Sequence, residues 1–262
     1  MPELVEVENY RRLAERVVGR TIAKVDAPDE WFVKGGATPS ILRRVLKGRT
    51  IVGTRRTGKL LMLDLDEGPP LGLRFGMSGR LLVDGEAGFD DYAFVSLRDE
   101  PAWDRFGLSF ASPHDGSLVI RDPRRLGGVE LAPDEASLGP DAASITLAEL
   151  RTALQASKAP LKARLMDQRR VAGVGNLAAD ELLWRASLDP SRPAGGLRQG
   201  ELRRLHKHVV GTLAYLQERG GSHTGDLMAH RRAGGACPRD GEALQRDTVG
   251  GRTTWWCPRH QS

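Results

Sequence analysis

Residues 161–181 read Leu-Lys-Ala-Arg-Leu-Met-Asp-Gln-Arg-Arg-Val-Ala-Gly-Val-Gly-Asn-Leu-Ala-Ala-Asp-Glu. Helical periodicity over 160–166 and again over 176–186 flanks Val171-Ala-Gly-Val-Gly-Asn176, a glycine-bearing turn that opens the second helix with Asn176 as its cap. A polar side chain beside the free N–H groups of a helix start makes a natural seat for a phosphate. By local chemistry it serves equally well as a plain cap. Outward from this stretch, the same periodicity marks helices over 147–156 and 201–220. Residues 138–144 (LGPDAAS) read as a loop that precedes the helical half.

Upstream of 138 the pattern is different. Apolar residues recur at three- and four-residue steps over 4–18, an amphipathic helix that Gly19 stops. Short β-rich runs follow at 21–25, 50–54, 60–65, 71–75, 80–83, 92–97, 108–111, 117–121 and 129–131, punctuated by Gly, Asp and Pro clusters, with one helix at 39–46. Many short strands with few helices between them predict an antiparallel sandwich or barrel. The chain therefore reads as α+β: an N-terminal antiparallel β-sandwich with flanking helices over 1–138, a helical domain over 139–230, and a small C-terminal finger over 231–262. So small a tail, with little apolar material, needs a staple.

Composition narrows the class. No apolar run approaches the roughly 18–20 residues that span a bilayer, so no membrane partner is expected. The acidic, amphipathic N-terminus lacks the order of a secretory signal. Two cysteines exclude a disulfide framework and fit a reducing cytoplasm. Charge is asymmetric: residues 1–150 carry a net −4 and residues 151–262 a net +9. A basic second half suits a polyanion, nucleic acid foremost, although a solvated basic surface gives the same count.

Several constellations bear chemistry. Removal of Met1 before a small residue exposes the secondary amine of Pro2, a nucleophile for Schiff-base chemistry at an aldehyde-like carbon, with Glu3 and Glu6 nearby as proton shuttles. Many unrelated chains also begin Met-Pro. Lys59 follows a glycine turn in Arg56-Thr-Gly-Lys59 and enters a strand. It reaches for a phosphate or leaving group, or is a plain hairpin lysine. Met77 stands between glycines in Gly76-Met-Ser-Gly79, either core or a wedge for a base stack. Asp122-Pro-Arg-Arg-Leu-Gly127 presents Arg124, Arg125 and the apolar Leu126 on a loop, or is a solvated turn. Cys237-Pro-Arg-Asp240, sixteen residues, then Cys257-Pro-Arg-His260 has the two-knuckle spacing of a zinc ribbon. The alternative is a ribbon that folds without metal, held by Trp255 and Trp256.

In this order and spacing, the motifs MPELVEVE, RTGK (56–59), GMSG (76–79), DPRRLGG (122–128), LMDQ…VAGVGN (165–176) and the terminal knuckles resemble the formamidopyrimidine-DNA glycosylase and endonuclease VIII family of bifunctional base-excision repair enzymes. The resemblance covers essentially the whole chain. It implies Pro2 as the nucleophile at the sugar C1′, Glu3 as the adjacent acid/base, Glu6 in support, and Lys59 near the lesion and its phosphate. It implies Met77, Arg124 and Leu126 as fillers of the gap left by an everted nucleotide. Asn176, in a helix–two-turns–helix motif, and Arg252 would hold the flanking phosphates. The implied partner is double-stranded DNA carrying damaged bases or abasic sites, bound by a monomer in the cytoplasm, at the nucleoid. One structural zinc on Cys237, Asp240, Cys257 and His260 and no catalytic cofactor are expected.

Departures bear on substrate choice. Val5 replaces the usual proline, and Leu126 stands where an aromatic wedge is usual. Asp240 and His260 occupy cysteine positions. Only fifteen residues separate Gly221 from Cys237, fewer than in the formamidopyrimidine branch, where a loop here covers an everted 8-oxoguanine. The expectation is a glycosylase that nicks the abasic site by β,δ-elimination and handles 8-oxoguanine poorly. The competing expectation is a damaged- or abasic-DNA binding protein without glycosylase activity.

Overall fold

The computed structural model describes residues 2–88, 98–113 and 115–262. The strand expected at 92–97 lies outside the described residues. The chain divides into two compact units, Pro2 with Glu6–Glu135, and Glu3–Val5 with Ala136–Ser262.

Among the described residues, the first unit carries most of helix α1 (Leu4–Ala14), helix α2 (Pro39–Leu46) and nine strands: β1 (Ile22–Asp26), β2 (Ile51–Thr57), β3 (Leu60–Leu65), β4 (Leu71–Arg74), β5 (Arg80–Val83), β6 (Glu86–Ala87), β7 (Asp104–Phe110), β8 (Ser117–Arg121) and β9 (Gly128–Leu131). They form two antiparallel sheets, ordered β1-β7-β8-β5-β6 and β2-β3-β4-β9. Leu61, Leu63, Leu71 and Leu73 from one sheet and Leu81, Phe106, Leu108 and Ile120 from the other share a single apolar core with Val7 and Tyr10 of α1. The alternation of burial along β7 follows from the pleat, which sends successive side chains to opposite faces. Strand β7 starts four residues before the expected 108. Charged Asp104 and Arg105 and a register shift between Asp104 and Phe106 hide its first half from a pattern-based reading.

Besides the long connection from β1 to β2, which carries α2, two short connections cross between the sheets, β4 to β5 through residues 75–79 and β8 to β9 through residues 122–127. Because β4 pairs with β9 (Arg74↔Gly128) and β5 with β8 (Arg80↔Arg121), the two crossings start and finish on paired strands and run side by side.

The second unit contains helices α3 (Leu147–Leu154), α4 (Leu161–Met166), α5 (Asn176–Ala186) and α6 (Gln199–Glu218), then the hairpin β10 (Gln245–Val249) and β11 (Arg252–Trp256). Helix α3 begins with a capping box, Thr146 and Glu149 each satisfying the other's backbone N–H. Leu4, Val5, Leu161, Leu165, Ala178, Leu182 and Leu205 are among the residues of its main core. Trp184, Leu227, Cys237, Leu244, Trp255 and Cys257 form a separate small cluster under the hairpin. Trp256 stands outside that cluster, half-buried, its Nε1 donating to Asp247 (2.7 Å). No helix among the described residues is long and apolar enough to cross a membrane.

Candidate nucleic-acid interface and metal centre

Pro2 is buried, and Glu3, bonded to it, is 1% exposed. The Glu3 carboxylate accepts the backbone N–H of Leu177 on Oε1 (2.9 Å) and of Ala178 on Oε2 (3.0 Å). It thereby caps α5, where two amide donors and the positive end of the helix stabilise the carboxylate form. Two expectations change. The cap residue of α5 is Gly175 and Asn176 is its first helical residue, with no side-chain cap bond. The helix N–H groups expected to seat a phosphate are held by Glu3, since a charged acceptor with two oxygens outcompetes a neutral amide. The Asn176 side-chain oxygen is buried and has no partner among the described residues, so this amide is uncommitted within the protein. Gly175 is required by close approach, because a Cβ there would lie 2.1 Å from the Glu3 carboxyl carbon. The preceding turn is pinned by Gln168, which donates to the carbonyls of Met166 (2.8 Å) and Val174 (3.0 Å) and accepts from Gly173 (2.9 Å).

In the first unit, Gly58 and half-buried Lys59 form the two-residue turn between β2 and β3, with Thr57 paired to Leu60. Gly58 supplies the positive φ (58°) that such a turn needs. Arg56 donates to the Gly58 carbonyl (2.9 Å) and to Glu8 on α1 (3.1 Å), joining the helix behind Pro2 to the lysine-bearing turn. Glu6, on the same helix, is fully buried. Burial works against the Glu8 charge, but hydrogen bonds from Arg11 and Arg56 outweigh it and hold the carboxyl below its ordinary value. A depressed folded value means that the stabilisation is present above the unfolded value of about 4.3 and is lost as pH falls through the folded one. The difference in thermal midpoint between wild type and Glu8→Gln should therefore be full at neutral pH and shrink to nothing on acidification below about pH 4. A pH-independent difference would contradict this.

The side-by-side crossings carry Met77, Arg124 and Leu126. Buried Asp122 organises both: its carboxylate accepts from the backbone of Arg124 (3.2 Å), Leu126 (2.9 Å) and Gly127 (2.8 Å) and from the Ser78 hydroxyl. The loops touch at Gly76, where a Cβ would lie 2.3 Å from the Leu126 carbonyl carbon. Met77 and Leu126 remain 36% and 50% exposed. The two arginines separate in role. Arg125, at φ 56°, pairs with both oxygens of Asp29 (2.6 Å each), whereas Arg124 is exposed and makes no ion pair among the described residues.

The finger brings Cys237, Asp240, Cys257 and His260 together, with one donor atom of each within 4.8 Å of the others. Zinc with arms of about 2.0–2.3 Å has tetrahedral edges of about 3.3–3.8 Å. Cys237 Sγ lies 3.8 Å from His260 Nδ1, and Cys257 Sγ lies 3.5 Å from both Asp240 oxygens. Asp240 and His260, 2.6 Å apart, are closer than an edge and hydrogen-bond to each other directly. The donor set fits one zinc ion, which would tie the two knuckles together. Burial pushes the Cys257 thiol up to about 11, so zinc must displace its proton. Elemental analysis should find about one zinc per chain, and chelation should lower the unfolding temperature, more readily at acidic pH. Absence of stoichiometric metal would rule this out. Arg252 is exposed at the start of β11, after the Gly250-Gly251 turn, and its guanidinium makes no ion pair among the described residues.

The residues that hold these groups, Asp122, Glu8, Asp29 and Gly175, were not identified from sequence as parts of the site. Asp122, Glu8 and Gly175 are visible only as parts of their motifs, and Asp29 carries no local signal. Residues 1–129 match the family model described as Formamidopyrimidine-DNA glycosylase N-terminal domain, and residues 137–226 match the Formamidopyrimidine-DNA glycosylase H2TH domain. A formamidopyrimidine-DNA glycosylase of Paracoccus denitrificans is 35% identical, over 98% of this chain and 99% of the relative; one of Arabidopsis thaliana is 32% identical, over 100% and 71%. Among solved structures, the complex between the Lactococcus lactis Fpg and an abasic site containing DNA is similar over 100% of both chains, with a TM-score of 0.83 and 27% identity. A complex of the wild-type Lactococcus lactis protein with DNA containing N7-benzyl-Fapy-dG matches at TM-score 0.83 and 28% identity, again over 100% of both chains.

Proposed function

Because the chain belongs to the formamidopyrimidine-DNA glycosylase family of base-excision enzymes with abasic-site lyase activity, we propose that it excises damaged bases from duplex DNA through the Pro2 amine. With Met1 removed, the Pro2 nitrogen attacks C1′, the N-glycosidic bond breaks, and the base departs with a proton. The C1′–O4′ bond then opens as Glu3 passes the proton lost from the Pro2 nitrogen to O4′, and the resulting iminium acidifies the C2′ proton. Its removal breaks the C3′–O bond, a second elimination breaks the C5′–O bond, and hydrolysis frees Pro2. No metal takes part in these steps. Glu3, held as a carboxylate at the α5 N-terminus, moves protons at the sugar, and this clasp is the observation that carries the reading. Lys59 meets the phosphate or the leaving group.

A base inside a duplex must be extruded at a cost of a few kcal/mol before it can be attacked. We assign Met77, Arg124 and Leu126 to the vacated space, and Asn176 and Arg252 to the flanking phosphates. Residues 1–138 act as the catalytic module, 139–230 as the helix–two-turns–helix module, and 231–262 as the finger.

Substrate choice follows from the short segment after α6. Glu181 accepts the backbone N–H of Asp226 (3.2 Å) and of Leu227 (2.9 Å), and a Cβ at Gly225 would lie 2.6 Å from Glu181. So closed a segment offers no excursion to cover an everted purine. We infer poor handling of 8-oxoguanine, with formamidopyrimidines, oxidised pyrimidines or alkylated and bulky purines as the better substrates. Single-turnover excision on a panel of duplexes, each with one lesion, tests this. The rate on 8-oxoguanine should fall at least about tenfold below that on the best lesion, a loss of about 1.4 kcal/mol in the barrier. Equal rates would overturn the substrate reading, and binding without excision of any lesion would overturn the catalytic one.

A further inference from the structure

A buried ionic cluster lies behind the finger hairpin. Lys162 of α4 and Asp180 of α5 pair at 2.7 Å with both side chains fully buried, and neither belongs to the reactions above. Asp180 also accepts from Arg231 (2.7 and 3.1 Å) and from the backbone N–H of Trp255 on β11 (3.2 Å). The Lys162 ammonium donates to the Thr253 carbonyl (3.1 Å) and to the Thr254 hydroxyl (2.8 Å), and that hydroxyl donates to the Arg252 carbonyl (3.0 Å). The turn before Arg252 is seated on the same helix, since a Cβ at Gly250 would lie 2.7 Å from the Ala163 methyl.

The polar contacts from the cluster to the hairpin thus land on residues 253–255, and the Thr254 hydroxyl carries the chain on to Arg252. Burying a lysine and an aspartate together is costly, and an apolar pair of the same volume would pack as well or better. What the ions supply beyond packing is direction: each hydrogen bond fixes one backbone or hydroxyl atom. We propose that the Lys162–Asp180–Arg231 cluster is a positioning device that sets the Arg252 guanidinium for a DNA phosphate, with Thr254 as its last link. The proposal rests on the assignment of Arg252 to a phosphate.

The test uses the full chain with its metal, and an abasic-site duplex titrated over a series of salt concentrations. Each cationic phosphate contact contributes about −0.9 to the slope of log affinity against log salt. Arg252→Ala should weaken binding and flatten that slope by about one. Asp180→Asn and Thr254→Val should do the same in part, by about tenfold or less in affinity. Combined with Arg252→Ala, neither should weaken binding further. Thr254→Val removes one hydroxyl and keeps the shape, so it decides the matter if Asp180→Asn does not fold; thermal unfolding and zinc content verify folding. A folded Thr254→Val protein with wild-type affinity and slope overturns the positioning role. So does full additivity with Arg252→Ala. If Arg252→Ala itself changes neither affinity nor slope, the phosphate assignment is what fails.

Discussion

A chain that keeps Met1 is expected to lose base excision and strand cleavage by more than about a thousandfold, the order seen when a covalent nucleophile is removed. The reason is chemical. An acylated proline nitrogen has no lone pair available for C1′, and the free amine of a retained methionine stands one residue too far back. An uncleavable N-terminal extension gives such a chain, and intact mass confirms it. Incubation with an abasic duplex and borohydride should yield a covalent adduct with the processed protein and none with the extended one. Pro2→Ala restores an amine, but a primary one, which must shed a further proton to reach the imine. It should trap weakly and turn over slowly. If the extended chain excises and nicks at the wild-type rate, the covalent mechanism is wrong.

The second large effect concerns Glu3→Gln. Glu3 presents two acceptor oxygens to two backbone N–H groups. Glutamine has one acceptor, and its amide protons would face a donor. One buried N–H is then left unsatisfied, at about 1–3 kcal/mol, and the favourable charge at the helix start is lost as well. At about 2–4 °C per kcal/mol for a chain of this size, a fall of several degrees in the unfolding midpoint is expected. Loss of proton transfer at the sugar should reduce single-turnover excision by about 10²–10⁴-fold. Affinity for an abasic duplex should change far less, because we assign it to Asn176, Arg252 and the loops that carry Met77, Arg124 and Leu126. A variant that is stable and fully active would remove Glu3 from the mechanism, and one that is unstable but fully active would leave it only the structural task.

Much of the architecture was legible in the chain. Helix α5 ends where the periodicity stops, and β3, β5 and β8 span the runs that predict them, because local apolar patterning and glycine punctuation set those limits. The cluster of Cys237, Asp240, Cys257 and His260 was legible for the same reason, since each knuckle is a short local spacing. What stayed hidden depends on partners distant in sequence. Nothing near Asn176 announces that Glu3 takes over the cap of its helix. The DPRRLG motif offers two equal arginines, and only Asp29, reached from another loop, withdraws Arg125 and leaves Arg124 available. The adjacency of Met77 and Leu126 follows from strand pairing between different hairpins, which no local spacing encodes.

The twin crossings separate tip from base. Asp122, Gly76 and Gly127 anchor the stems, while Met77, Arg124 and Leu126 project beyond them. Tip residues are therefore interchangeable in a way that stem residues are not. A bulkier side chain, as in Leu126→Phe, asks nothing new of the scaffold, so if Leu126 fills the gap as we propose, lesion preference should shift with that one exchange. Lengthening either crossing by a single residue would pull both out of register together.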